Sequence, residues 1–217
     1  MQISWFEYFQ IMSLFIAVLC WRGLKACSLL AFIPLLIIAN AAEISGGNYR
    51  SFGLSSNYFI YNLYLLFSTP FFFFLAGKML FLTRKEQVVF NLVCTLALLL
   101  IFVNFCCIQG QIKFNTFSLV LVEILNIVFA GLCLVRLTVF DQKELNFMRE
   151  PYFWINALNL LFALITLVLL GLQDYILINH IQIAHKSLYY AILPAVNAVV
   201  YAGYSYAFIL CRIRRTR

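Results

Sequence analysis

The chain has 217 residues, of which 65% are hydrophobic and only 11% charged, and its formal net charge is +7. A soluble domain averages about 45–50% apolar and about 25% charged residues, so this composition excludes a water-soluble globular protein. A membrane-spanning helix needs about 20 apolar residues, so we expect seven or eight spans and no soluble catalytic or nucleic-acid-binding domain.

Apolar runs separated by short polar segments predict one all-α bundle of seven transmembrane helices, in a single domain over residues 1–217. The first run has no positive n-region and carries Glu7, so we interpret it as a helix and not as a signal peptide. The second ends before a loop with Gly46-Gly47, Pro70 interrupts the third, and Pro151 begins the sixth at a position where proline is favoured. The helices are expected at about residues 3–21, 27–42, 57–82, 87–108, 116–139, 152–171 and 187–211.

The charged residues at the helix ends predict the orientation of the bundle. If the N-terminus lies outside, every Lys and Arg except Arg50, Lys113 and Lys186 falls on the cytoplasmic side. Such a bias across short loops predicts an outer N-terminus and a cytoplasmic C-terminus. The positive charge therefore indicates topology, and we expect the lipid bilayer, and no nucleic acid, as the partner of this chain.

Glu123 is the most informative single residue, because it lies about 10 Å below the outer end of the fifth predicted helix. A carboxyl group inside the membrane is costly and by default faces the bundle interior or a wet cavity. Asn126 follows one turn later on the same face. The pair indicates a proton- or cation-linked site or a polar ligand contact. The alternative is a protonated Glu that hydrogen-bonds a neighbouring helix.

Polar and aromatic residues at helical spacing extend this pattern to three other helices. If these faces point inward, the bundle has a polar, aromatic-lined interior that opens toward the outer leaflet and suits a small amphipathic ligand. The alternative is hydrogen bonding between helices, which polar side chains supply in many membrane bundles. The candidates are Tyr58 and Asn62 in the third helix, Asn159 in the sixth, and Tyr190, Asn197 and Tyr201 in the seventh.

The last outer loop holds weak candidates for a metal site. Asp174, His180 and His185 could supply ligands, but their spacing is not that of a recognised site. No Lys lies in the seventh helix for a retinal Schiff base, and no hydrolase, zinc-protease or phosphate-binding motif is present. We therefore expect no cofactor and no catalytic residues.

Residues of the sixth and seventh predicted helices carry a family resemblance. Through them the chain resembles a group of uncharacterised bacterial seven-helix membrane proteins. The resemblance implies a bacterial cytoplasmic (inner) membrane location and association with a membrane sensor kinase, hence a part in signalling. The chain departs from the group at Leu158, where a Gly is usual, so a tight helix contact is not expected there. The motifs are Phe153-Trp154-Ile155-Asn156, Leu160-Leu161-Phe162, Asn197, Val200-Tyr201, Phe208 and Cys211.

Three functions remain open from the sequence. The first is a receptor-like or adaptor module that binds a small ligand or the helices of a membrane protein partner. The second is a small-solute or proton-linked transporter that uses Glu123, although the first and last three helices show no convincing self-similarity. The third is an intramembrane lipid-modifying enzyme that uses Glu43, Glu123 and Asp174. The oligomeric state is not determined by the sequence.

Overall fold

A computed structural model describes residues 4–140, 147–179, 182–183 and 186–215 of the chain. In these ranges the chain forms nine α-helices and one hairpin of two-residue strands, β1 and β2 (Gln182–Ile183 and Lys186–Ser187). The all-helical bundle expected from the composition is therefore present. The helices are α1 (Trp5–Leu19), α2 (Trp21–Ala26), α3 (Phe32–Gly47), α4 (Tyr58–Met79), α5 (Arg84–Val103), α6 (Thr116–Phe140), α7 (Pro151–Gly171), α8 (Gln173–Ile178) and α9 (Leu188–Arg215).

Five helical segments of the described residues are long and apolar enough to cross a membrane, so the chain has the build of a multi-pass membrane protein. The helices α1 and α3 are also apolar but have 15 and 16 residues. At 1.5 Å per residue they span about 22 and 24 Å, less than the hydrocarbon core of about 30 Å. The five long segments are Tyr58–Met79, Arg84–Ile108, Thr116–Val139, Pro151–Gly171 and Ala191–Arg214.

The first two helices differ from their predicted bounds. The first is broken at Cys20, and the short α2 continues it. The second begins later than predicted, because Ser28 adopts a left-handed conformation with φ of 56° in the turn before it. It also runs through the two glycines that were expected to form a loop. The Tyr61 ring lies against Gly46, where an added Cβ would approach it to 2.9 Å, so tertiary packing supports this last turn.

Pro70 does not interrupt α4, contrary to the expectation from the sequence. Proline removes one backbone donor from a helix, and the carbonyl that loses its helical donor here is that of Leu66. On the preceding turn, Thr69 donates its hydroxyl proton to the backbone oxygen of Leu65 at 2.6 Å. Pro151, in contrast, stands in the first turn of α7 as predicted.

The helix ends that carry most of the Lys and Arg meet on one side of the molecule, which we call the basic end. The hydroxyl of Tyr152, in α7, donates to the backbone oxygen of Cys27 at 2.7 Å. Arg214, near the end of α9, donates to both carboxylate oxygens of Glu150 at 2.9 and 3.0 Å. Arg136, in α6, donates to the backbone oxygen of the residue after α4 at 2.8 Å. The basic residues of this end are Arg22, Lys25, Lys78, Arg84, Lys85, Arg136, Arg149, Arg212 and Arg214.

Another set of contacts holds the opposite end together. Tyr61 of α4 donates its hydroxyl proton to Glu43 of α3 at 3.0 Å. Asn62 donates to the backbone oxygen of Lys113 at 2.8 Å and accepts from the backbone N–H of Asn115 at 3.0 Å. Because Asn62 satisfies both backbone groups, it fixes the loop that leads into α6 against α4.

Contacts between helices define the bundle interior. The helix α1 lies between α3 and α9, and α7 lies between α6 and α9. The helix α5 is peripheral, because among its residues only Cys94, Ala97 and Ile101 are buried. The interior of the molecule is therefore formed by α1, α3, α4, α6, α7 and α9.

Candidate functional site

Glu123 and Asn126 form the centre of the candidate site on α6. Both are buried, at 4% and 7% exposure. The side-chain amide of Asn126 donates to the Glu123 carboxyl at 3.3 Å, as expected for residues three apart on one helix face. The amide oxygen of Asn126 has no hydrogen-bond partner in the described part of the chain. This pair therefore presents one unmatched acceptor beside a buried carboxyl group.

Tyr204 connects α9 to α7 at the same site. Its hydroxyl donates to the side-chain oxygen of Asn159. Its ring meets the ring of Tyr201 edge to face with centroids 6.0 Å apart, and the ring of Phe32 at 5.3 Å. Aromatic pairs at such distances stabilise a fixed ring geometry. The two tyrosines of α9 are therefore held in place as one wall of the interior.

Tyr64 of α4 lies within electrostatic range of both Glu43 and Glu123. Tyr201 lies in the same range of Tyr64 and Glu43, and Tyr204 of Tyr64 and Glu123. These five residues, which we call the tyrosine–carboxyl cluster, come from α3, α4, α6 and α9. Sequence reasoning identified Glu123 and Tyr201 as interior candidates, but it did not identify Tyr64 as part of this set.

A polar stripe on α1 adds to the interior. Glu7, Gln10 and Ser13 are buried at 4%, 0% and 0% exposure, and their three-residue spacing places them on one helix face. The Glu7 carboxyl accepts from the backbone N–H of Ser4 at 3.0 Å and lies in electrostatic range of Glu43. Both polar atoms of the Gln10 side chain and the Ser13 hydroxyl lack a partner in the described residues. The regular spacing of polar residues in an apolar helix was the signal that could have revealed this stripe.

The carboxyl groups of the interior have no basic partner in the part of the chain that the structure describes. The ion pairs found there join Glu86 to Arg136 and Glu150 to Arg214, both at the basic end. A buried carboxyl without an opposite charge is unfavourable when ionised. The interior therefore suits either protonated carboxyl groups or a positively charged guest.

Three of the predicted interior residues do not belong to the tyrosine–carboxyl cluster. Tyr58 is 44% exposed and its ring lies 6.1 Å from that of Phe114 at the opposite end. Asn62 is buried, but both of its polar groups hold the loop before α6. Asn197 is partly buried on α9, four residues before Tyr201.

Several candidates fall on residues that the structure does not describe. His180 and His185 lie outside the described residues, and so do the side chains of Asp174 and Tyr190, whose backbones belong to α8 and α9. Among the described residues, no group of three His, Cys, Asp or Glu side chains is placed to hold a metal ion.

The Phe153–Asn156 motif connects helices at the basic end. The Trp154 indole donates to the backbone oxygen of Met148 at 3.2 Å, and its ring meets that of Tyr206 on α9 at 5.3 Å. Asn156 donates to the backbone oxygen of Tyr152 at 2.8 Å and contacts the Cys133 sulfur on α6 at 3.2 Å. The motif thus fastens the start of α7 to α6 and α9.

At Leu158 we expected no tight helix contact, but the structure shows one between α7 and α9. The small residue that permits it is Gly203 of α9. An added Cβ at Gly203 of α9 would lie 2.1 Å from a methyl carbon of Leu158. The leucine of α7 therefore packs directly on the α9 backbone.

No family model, no curated protein and no solved structure matches the chain. The contacts and charges described above therefore carry the functional argument.

Proposed function

We propose that the chain is a receptor-like or adaptor module of the membrane, whose polar interior binds a small amphipathic ligand that carries a positive charge. The observation that carries this proposal is the tyrosine–carboxyl cluster, in which two carboxyl groups and three phenol groups from four helices lie within electrostatic range of their neighbours. A ligand ammonium is attracted both by carboxylates and by the faces of tyrosine rings. Such a ligand would supply the positive charge that Glu43 and Glu123 lack.

The proposal includes seven membrane spans, with the N-terminus outside and the C-terminus in the cytoplasm. The grouping of basic residues at one end supports this orientation, because cytoplasmic loops carry an excess of Lys and Arg. The helices α1 and α3 would span with the help of α2 and of the turns that flank them. In this orientation Glu43 lies near the outer end of α3 and Glu123 about two turns below the outer end of α6. The cluster would then be reached from the outer leaflet.

The second part of the proposal is the output of the module. A ligand that binds one arrangement of the helices more tightly than another shifts the population toward that arrangement. Because the cluster draws on α4, α6 and α9, such a shift would reach the basic end through Arg136 and Arg214, which tie α6 and α9 to their neighbours there. A partner at the cytoplasmic side would respond to this change. The family resemblance favours a sensor kinase of the bacterial inner membrane as that partner.

Native mass spectrometry of the gently extracted protein tests the proposal. We expect the wild-type chain to retain a basic small molecule, or a second polypeptide at fixed stoichiometry. Glu123→Gln should lose the small molecule, because the amide cannot provide a negative charge. Glu150→Gln is the matched control for retention of the small molecule, since Glu150 is also buried but lies at the basic end. A wild-type chain that carries neither ligand nor partner, or a ligand equally retained by Glu123→Gln, contradicts the proposal.

A proton-linked transporter is the second candidate, and the position of Glu123 favours it. A buried carboxyl hydrogen-bonded to a neutral amide can exist with or without its proton, as coupling to a proton gradient requires. Uptake of a labelled amine into proteoliposomes, driven by a pH gradient and abolished by Glu123→Gln, would identify the chain as a transporter. Binding without such uptake would support the receptor.

A further inference from the structure

A groove of about 400 Å³ lies between α4 and α5 at the basic end, away from the tyrosine–carboxyl cluster. Four phenylalanines line it, among them Phe73, Phe74 and Phe90. Lys78, Gln87 and Asn91 supply its polar groups. The groove thus combines an apolar surface with an ammonium group, on the side of the bundle where the peripheral α5 packs.

Gly77 shapes this groove. An added Cβ at Gly77 would lie 2.9 Å from a carbon of the Phe90 ring, so the glycine allows this ring to lie against the α4 backbone. Phe90 also meets Phe129 of α6, with ring centroids 5.0 Å apart. The Phe90 ring is therefore held in place from both sides by packing.

The charges around the groove are positive. Lys78 is exposed and its ammonium nitrogen lies 5.3 Å from the centre of the Phe74 ring, and Arg84 and Lys85 are exposed in the first turn of α5. In the described residues these three form no ion pair. Glu86, the acidic residue of this turn, already binds Arg136. The groove therefore offers unmatched positive charge to an anion.

We infer that this groove binds an anionic phospholipid, with an acyl chain along the phenylalanine rings and the phosphate beside Lys78. Lysine side chains near helix ends extend toward the membrane interface, where lipid phosphates lie. Basic pockets between membrane helices on the cytoplasmic side bind anionic head groups in the same way. Apolar surface and positive charge occur together here, as an anionic lipid requires. The inference uses no residue of the cluster, but it rests on the membrane orientation that is part of the proposed function.

The test compares lipids that share their acyl chains but differ in charge. The purified full-length protein is titrated with phosphatidylglycerol or phosphatidylcholine, and bound lipid is counted by native mass spectrometry. We expect tighter binding of phosphatidylglycerol, and Lys78→Gln should weaken it about fivefold, since a basic residue at a membrane surface contributes about 1 kcal/mol. Lys78→Arg should retain the wild-type preference. Lys113→Gln, which removes an exposed charge at the opposite end, should leave binding unchanged.

The apolar part of the groove is tested separately with Phe74→Ala. Phe74 is 53% exposed, so its removal should not unfold the protein. This variant should lose affinity for long-chain phosphatidylglycerol but bind a short-chain form as the wild type does. Thermal unfolding without added lipid verifies that each variant is folded. Equal binding of both lipids by the wild type, or an unchanged phosphatidylglycerol affinity of folded Lys78→Gln, would overturn the inference.

Discussion

Close packing at single glycines determines how near the helices approach one another. At Gly203 a methyl carbon of Leu158 occupies the place where a Cβ would be, and at Gly23 an added Cβ would lie 2.7 Å from the backbone nitrogen of Arg212. Membrane helices associate through such small residues, because lipid provides no hydrophobic driving force between them. The α7–α9 and α2–α9 contacts therefore depend on the absence of a side chain.

Gly203→Ala should destabilise the protein, because the new methyl group overlaps Leu158. Overpacking in a rigid core costs about 1–3 kcal/mol, and the midpoint of thermal unfolding in detergent should fall accordingly. The double variant Gly203→Ala/Leu158→Ala should lose less stability than the sum of the two single changes, since the shortened residue makes room. Strict additivity of the two changes would show that the contact does not have this geometry.

The variant Gln10→Leu tests the energetic cost of the buried polar groups of α1 that lack a hydrogen-bond partner in the described residues. A buried polar group without a partner costs about 1–3 kcal/mol, so a leucine of similar size should raise the stability of the ligand-free protein by about 1 kcal/mol. The comparison is Gln87→Leu, because Gln87 donates to Asn91 at 2.8 Å and should give no such gain. A loss of stability in Gln10→Leu, measured by thermal unfolding, would mean that Gln10 is well satisfied in the protein.

At the scale of elements, Arg136 joins α6 to the turn between α4 and α5. Its guanidinium donates to the backbone oxygens of Leu80 and Phe81 and binds the Glu86 carboxyl. Phe81 has a left-handed backbone with φ of 49°, so the turn is strained and needs such support. Arg136 thus connects α6, the turn after α4 and the first turn of α5 at the basic end.

Arg136→Met should loosen this turn. Hydrogen bonds to a charged group contribute about 1.5–3 kcal/mol, so we expect a loss of stability in this range and faster amide hydrogen exchange in residues 80–87. Lys85→Gln is the control, because Lys85 lies close by in the first turn of α5 and its side chain is exposed. Unchanged exchange in Arg136→Met would show that the turn is held by its own backbone and by the Thr83 cap.

At the scale of the whole molecule, the proposed orientation is tested by labelling introduced cysteines with a membrane-impermeant thiol reagent. Cys106 and Cys107 are exposed and are first replaced by Ser, while the other cysteines are buried. We expect Ser51→Cys, at the opposite end, to be labelled in intact cells. Lys85→Cys, at the basic end, should be labelled only after permeabilisation. The reverse pattern would mean that the basic end faces outward.

Membrane character and the approximate positions of the five long apolar helices follow from the sequence, because a long apolar run has to be helical in lipid. The outcome at Gly46-Gly47 could not be predicted locally, since Tyr61 of α4 supports the last turn of α3. Helix ends depend on such contacts with other helices, and the sequence of one segment does not contain them.

The sequence by itself determined that the chain has apolar helices, that most of its positive charges stand at helix ends, and that Glu123 is buried with Asn126. These properties depend on composition and on the period of one helix. The tertiary structure alone decided which polar residues meet. It brought Tyr64 into electrostatic range of Glu43 and Glu123, assigned Asn62 to a loop contact and left Tyr58 at the surface. The physical reason is that a helix face becomes an interior only through the rotation and neighbours of that helix, which packing between distant segments decides.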